Sequence, residues 1–303
     1  MGPVRNFNLF CEGLVFPTFS VRRFSEDELN DLIDKDFWSE ADFYICMCDP
    51  WFFMEYEAEP GKEWDTARKE FETFLNALAF FKTASTILRI GHFYVKNLEG
   101  AGASSKFRGE LVPTLTPIYV LNNDECEGFI GFYNKYTDFI NREEEHNQQR
   151  RINRSIDSFT MVRKTSNLAE RLIFLSISLE ALFSREIDEL KYRYSHRAAI
   201  MLGTDSRSRT RTFTLVKEFY NKRSQLLHGS LKFRITPNEA LLYNEIIRVS
   251  ILRYISLHHR GRRNIIRDLD ELIFDEEGRA RLLADAIEYF GVISEFKENP
   301  RAR

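Results

Sequence analysis

The stretch YNKRSQLLHG, Tyr220–Gly229, sets an arginine and a histidine five residues apart at the end of a helical pattern. Histidine titrates near neutrality and can take a proton from one oxygen and return it to another. Arginine offers a permanently charged, forked donor that grips phosphate oxygens as their charge grows. Together they suit phosphodiester cleavage in RNA, which carries its own nucleophile, the 2′-hydroxyl. That reaction needs a base for the 2′ proton, an acid for the leaving 5′-oxygen and positive charge against the phosphorane. The candidate catalytic residues are Arg223 and His228. Gly229 reads as the left-handed residue that ends the helix, so His228 falls in the last turn, where the negative end of the macrodipole favours imidazolium.

Spacing alone is a weak signal, because the same pattern recurs at Arg253 and His258. Context adds more. SRSRTRTF supplies Arg207, Arg209 and Arg211 just ahead of the motif, and Lys222 and Tyr220 lie within it, so these five are candidate RNA-binding residues. HHRGRR, His258–Arg263, is a second basic cluster. Each cluster also fits an ordinary solvated loop. Tyr192 and Tyr194 could stack on bases, although aromatic residues at helical spacing usually belong to a core. Glu180, on an apolar helix, is expected to pair with a buried arginine such as Arg197. Cys46 and Cys48, with Cys11, Cys126 and His92, lack Cys-x-x-Cys spacing in a strand-like run, so no metal is expected. The absence of phosphate-binding and nucleotide-binding glycine motifs leaves no cofactor to expect.

The formal charge of −3 conceals a division. Residues 1–149 carry 14 Lys and Arg against 26 Asp and Glu, a net −12, and residues 150–303 carry 29 against 20, a net +9. The basic half could attract a polyanion, and the two halves could equally dock on each other. With four cysteines, no 18-residue apolar run and no secretory leader pattern, the chain reads as a soluble cytoplasmic protein without a membrane partner.

The elements that must carry these residues follow from periodicity. In the first half, NFNLFCEGLVF, DFYICMCDPWFFMEYEAE, ILRIGHFYVKNLE and LVPTLTPIYVL read as strands. SEDELNDLIDKDF opens with a Ser25–Glu28 capping pattern, and EWDTARKEFETFLNALAFFK is a helix with Phe71, Phe74, Leu75 and Leu78 on one face. NREEEHNQQRRINR lacks apolar periodicity and reads as a linker or solvated helix. Beyond it, SFTMVRKTSNLAERLIFLSISLEALFS is expected to be one helix of more than five turns, striped by Leu172, Leu175, Leu179, Leu182 and Phe183. Further helical patterns follow, parted by Gly203 and Asp205, by Gly229 and by Pro237. The reading is an α+β N-terminal domain over 1–145 followed by an all-α helical bundle over 146–303.

The segments RLIFLSISLEALFS and FYNKRSQLLHG, with Arg197–Ala199 between them, resemble the Apea-like branch of the HEPN superfamily over about residues 150–260. The resemblance implies a four-to-five-helix bundle that forms a homodimer and brings two Arg-x₄₋₆-His motifs to one cleft. It also implies a metal-independent endoribonuclease of prokaryotic antiviral defence or toxin type. Arg223 and His228 would act, with Ser224 as a polar helper standing where many active members carry Asn, Asp or His. Residues five apart differ by about 140° around a helix, so one copy presents them poorly to one phosphate, and two facing copies solve that problem. The alternative is a non-catalytic HEPN module for dimerisation and binding in a defence or regulatory complex. The acidic domain would then be a sensor or regulator with an unidentified ligand or protein partner.

Overall fold

The computed structural model describes residues 2–5, 7–23, 25, 27–28, 52–56, 63–83, 89–90, 119–142, 147–184, 190–230 and 233–296. A small sheet region near the N-terminus is followed by a helical bundle. The chain divides into two units, Met1–Leu78 with Ser85–Tyr136, and Ala79–Ala84 with Thr137–Arg303.

In the first unit five short strands form one sheet: β1 (Gly2–Arg5), β3 (Gly13–Val15), β4 (Phe19–Arg23), β5 (Phe52–Tyr56) and β6 (Arg89–Ile90), in the order β3-β4-β5-β1-β6. All its pairings are antiparallel, with Val21 opposite Met54 and Val4 opposite Ile90. β2 (Phe7–Leu9) pairs in parallel with β7 (Tyr119–Leu121). Alternation puts Phe19, Val21, Phe52 and Met54 inside. Two helices supply the rest of this core: α1 (Glu63–Phe81) and α2 (Asn123–Ile140). Phe74 lies edge-on to Phe7, Phe19 and Phe129, a geometry aromatic rings favour. The Ser25–Glu28 capping pair is reciprocal, Ser25 N–H to the Glu28 carboxylate at 2.8 Å and Glu28 N–H to Ser25 Oγ at 3.2 Å. The rest of that helical pattern, and most of the strand-like runs, lie outside the described residues.

The second unit contains α3 (Asn147–Met161), α4 (Leu168–Phe183), α5 (Leu190–Leu202), α6 (Ser206–Leu227), α7 (Pro237–His259), α8 (Ile265–Glu271) and α9 (Glu276–Glu288). α7 is buried along nearly its whole length and forms the centre. Its start is fixed by Pro237 at the first helical position and a Thr236–Glu239 capping box.

Two expectations change. The charged segment before residue 150 opens α3, an amphipathic helix that buries Ile152, Ile156 and Phe159. The long helix expected over 158–184 is two helices, because a 3-10 turn at Val162–Lys164 ends α3 and Asn167 caps α4, accepting from Ala169 N–H at 2.9 Å. An Asn side chain at that position satisfies orphan amides that a continuous helix would have paired itself. The expected stripe Leu172, Leu175, Leu179, Leu182 and Phe183 is buried. Among the described residues no helix is long and apolar enough to cross a membrane.

Candidate functional site

α6 carries the motif. Asp205 caps it in a box with Ser208, and Gly203 must be glycine because a Cβ there would stand 2.7 Å from the Arg209 backbone. The helix buries Thr212, Val216 and Phe219, and four residues further along the same side lies Arg223. Arg223 therefore points back toward the bundle. It forms an ion pair with Glu180 on α4, Nη2 lying 3.0 Å from Oε1, and its guanidinium carbon lies 5.7 Å from the centre of the Tyr220 ring. Tyr220 in turn meets Tyr194 of α5 edge-on at 6.2 Å. Tyr194 is buried, and that burial pushes its phenol above the ordinary range, while a hydrogen bond with Ser184 pulls the other way.

α6 ends as the sequence predicts. Gly229 takes φ +63°, its N–H bonds to Leu226 O, and Ser230 N–H reaches Gln225 O at 2.9 Å, so the last carbonyls are satisfied by a Schellman motif. His228 is the C-cap residue and is exposed, with its backbone N–H on Ser224 O at 3.1 Å. Among the described residues its imidazole makes no hydrogen bond or ion pair. Arg223 and Ser224 are half-buried, whereas His228 is exposed.

Glu180 stands on an unusually well-held helix end. Tyr254 donates to Leu182 O at 2.9 Å, Arg197 to Phe183 O at 2.6 Å, and Arg151 to Ser184 O, while Ser184 N–H bonds Glu180 O at 2.9 Å. Three helices thus occupy carbonyls that α4 itself leaves unpaired, and two of the donors are cations at the negative end of its dipole. The expected Glu180–Arg197 pair is not formed. Arg197, which is buried, instead clasps Asp270 through two 2.8 Å bonds. Glu180 was legible as a polar residue on an apolar helix, but its partner was not.

The remaining candidates divide. Lys222 is engaged by Glu239 at 2.9 Å and by Arg234 O. Arg209 pairs with Glu276 at 2.8 Å. Arg207 and Arg211 are exposed on the first turns of α6, sixteen and twelve residues before Arg223, or about 24 and 18 Å at 1.5 Å per residue. Tyr192 is exposed and lies edge-on to Phe213. The second motif copy is structural: Arg253 is buried and donates to Ser294 O and Met201 O, and burial pulls its pKa down to about 10. Of the HHRGRR cluster, Arg260 binds Glu288, and Arg262 binds Asp285 and Asp268.

No protein family, curated protein or solved structure matches this chain. The site must be read from its own chemistry.

Among the described residues no cluster of His, Cys, Asp and Glu could hold a metal ion. Cys11 and Cys126 are free thiols, and Cys46, Cys48 and His92 lie outside the described residues. The chemistry on hand is a cation held at a helix junction and an exposed imidazole one and a half turns further on.

Proposed function

We propose that the chain is a metal-independent endoribonuclease of HEPN type, acting as a homodimer in which Arg223 and His228 from two copies serve one phosphodiester. The observation that carries this reading is the arrangement at the end of α6. Arg223 is anchored at the α4–α6 junction, while His228 caps the helix in the open. An imidazole in that position is open to a substrate and can take and return a proton. In this reading His228 moves the protons of 2′-hydroxyl attack and 5′-oxygen departure, and Arg223 opposes the charge that grows on the non-bridging oxygens. Positions five apart on a helix differ by about 140° in direction, and that separation is what calls for a second copy. Arg207 and Arg211 extend the basic track along α6, far enough away to hold phosphates several nucleotides distant.

The test is cleavage of an RNA oligonucleotide by purified protein in EDTA, with the dimer checked by light scattering. Arg223→Ala and His228→Ala are each expected to lower the rate by at least about 100-fold with the dimer intact. Undiminished cleavage by His228→Ala would overturn the proposal. Dimerisation with RNA binding and no cleavage would support a non-catalytic binding module instead.

A further inference from the structure

Tyr192 on α5 is 59% exposed, yet its ring is held from two directions. It lies nearly parallel to the His196 imidazole, with an interplanar angle of 24° and 6.0 Å between centroids. Residues four apart share a helix face, which is why these two rings layer. Phe213 of α6 meets the tyrosine edge-on at 5.7 Å. Burial holds the His196 imidazole below its ordinary pKa of 6.5, so at neutral pH it is an uncharged aromatic layer. A tyrosine serving the core would be covered, as Tyr194 is two residues further on. Tyr192 instead keeps much of its flat surface in solvent.

The surroundings are cationic. α5 and α6 together carry nine lysines and arginines against one acid, Glu218, which favours a polyanion along this pair of helices. Lys217 is exposed one turn beyond Phe213, on the same face of α6, and Lys191 directly precedes Tyr192. An exposed ring among cations suits a single nucleic-acid strand, because a base can lie on the ring while the cations meet the phosphates on either side.

We infer that Tyr192, backed by His196 and Phe213, is a stacking platform for an unpaired nucleobase of a bound RNA strand. The ribonuclease reading above supplies the identity of the ligand, and the platform adds a binding subsite away from the reacting phosphate. Phe213 precedes Arg223 by ten residues on α6, about 15 Å at 1.5 Å per residue, so the stacked base belongs to a nucleotide remote from the cut. Because two neighbouring rings fix the tyrosine before RNA arrives, stacking costs it little freedom. The platform selects single strands, since bases within a duplex keep their faces against one another.

The probe is a short fluorescent single-stranded RNA with 2′-O-methyl groups throughout, which cannot be cut, its binding followed by anisotropy. A second strand of equal length carries abasic residues and keeps every phosphate. Tyr192→Ala is expected to bind the first strand about tenfold more weakly than the parent chain, the scale of one base–aromatic stack. The two proteins should bind the abasic strand equally, and the salt dependence should be unchanged, because no phosphate contact is lost. Tyr192→Trp should bind at least as tightly as the parent. Tyr192→Leu, which keeps an apolar side chain without a flat ring, should resemble alanine. Thermal unfolding of each variant accounts for any loss of folded protein.

Equal binding of the base-bearing strand by Tyr192→Ala and the parent overturns the inference. So does a loss of the same size on the abasic strand, or full binding by Tyr192→Leu. Normal RNA binding by Tyr192→Ala with a changed oligomeric state in light scattering would make this face a contact between two copies, which also overturns it. Cleavage of unmodified RNA by the parent separates the two readings. A parent that binds through the ring without cutting upholds the platform and defeats the ribonuclease, whereas one that cuts with no need of the ring does the reverse.

Discussion

Gly229 shows how much of the site depends on one residue's backbone. Its φ of +63° is a conformation that side-chain-bearing residues adopt at a cost, yet a Cβ there would meet nothing within 4 Å. Gly229→Ala is therefore expected to cost about 1 kcal/mol through backbone strain alone, with Gly229→Asn costing less. Thermal unfolding of the two variants checks this, and equal stability of alanine and glycine would contradict it. The same substitution unsettles the C-cap that presents His228, so cleavage should fall more than the loss of folded protein explains. Arg248 lies at the opposite extreme. It is fully buried against Glu245 and several carbonyls, so Arg248→Ala leaves a buried carboxylate and unpaired acceptors. The expected loss is about 3–5 kcal/mol, read by denaturant unfolding.

At the scale of elements, helix α5 carries a second kind of test. Burial holds the His196 imidazole below its ordinary pKa of 6.5. In the unfolded chain this group takes a proton as pH falls through that value, whereas in the fold it takes one only at lower pH. Acidification below about pH 6.5 therefore favours the unfolded chain, and the penalty stops growing once the folded group is also protonated. His196→Gln should show a smaller drop in melting temperature between about pH 7.5 and pH 5.5 than the parent chain. An identical drop would contradict this.

Elements also show where the sequence was legible. The cap at Ser25, the breaks at Gly203 and Asp205, Gly229 and Pro237, and the stripe Leu172–Phe183 follow from local chemistry that a sequence displays. The break between α3 and α4 did not, because Thr165–Asn167 interrupts a run whose flanks both have helical character, and the cap competes with continuation by little. Helix α2 was missed altogether, although the buried Phe129, Phe132, Tyr133, Tyr136 and Phe139 have helical spacing. Its charged outer positions masked that period. Of the site, the motif and its glycine were legible, whereas the Glu180–Arg223 pair was not. Which acid meets which arginine is fixed by packing between helices, and several buried arginines compete.

For the whole molecule, charge is the governing quantity. The −12 and +9 halves of the sequence place the cationic surface with the motif, and some of that charge is already spent on Glu239, Glu276, Glu288, Asp268 and Asp285. Arg207 and Arg211 are exposed on the first turns of α6. Replacing both with alanine should weaken RNA binding and flatten its dependence on salt by about 0.7 in log–log slope per lost phosphate contact. The chemical step should change little, since neither residue lies near Arg223. An unchanged slope would remove these two from the RNA-binding surface.

The central claim is 2′-hydroxyl attack without a metal, and the ends of the RNA report it most directly. RNA cut by the protein in EDTA should carry 2′,3′-cyclic phosphate and 5′-hydroxyl termini by mass spectrometry, and a single 2′-deoxy substitution at the cut position should block that cut. Products with 5′-phosphate ends, cleavage that EDTA abolishes, or cutting that ignores the missing hydroxyl would contradict the mechanism assigned to Arg223 and His228.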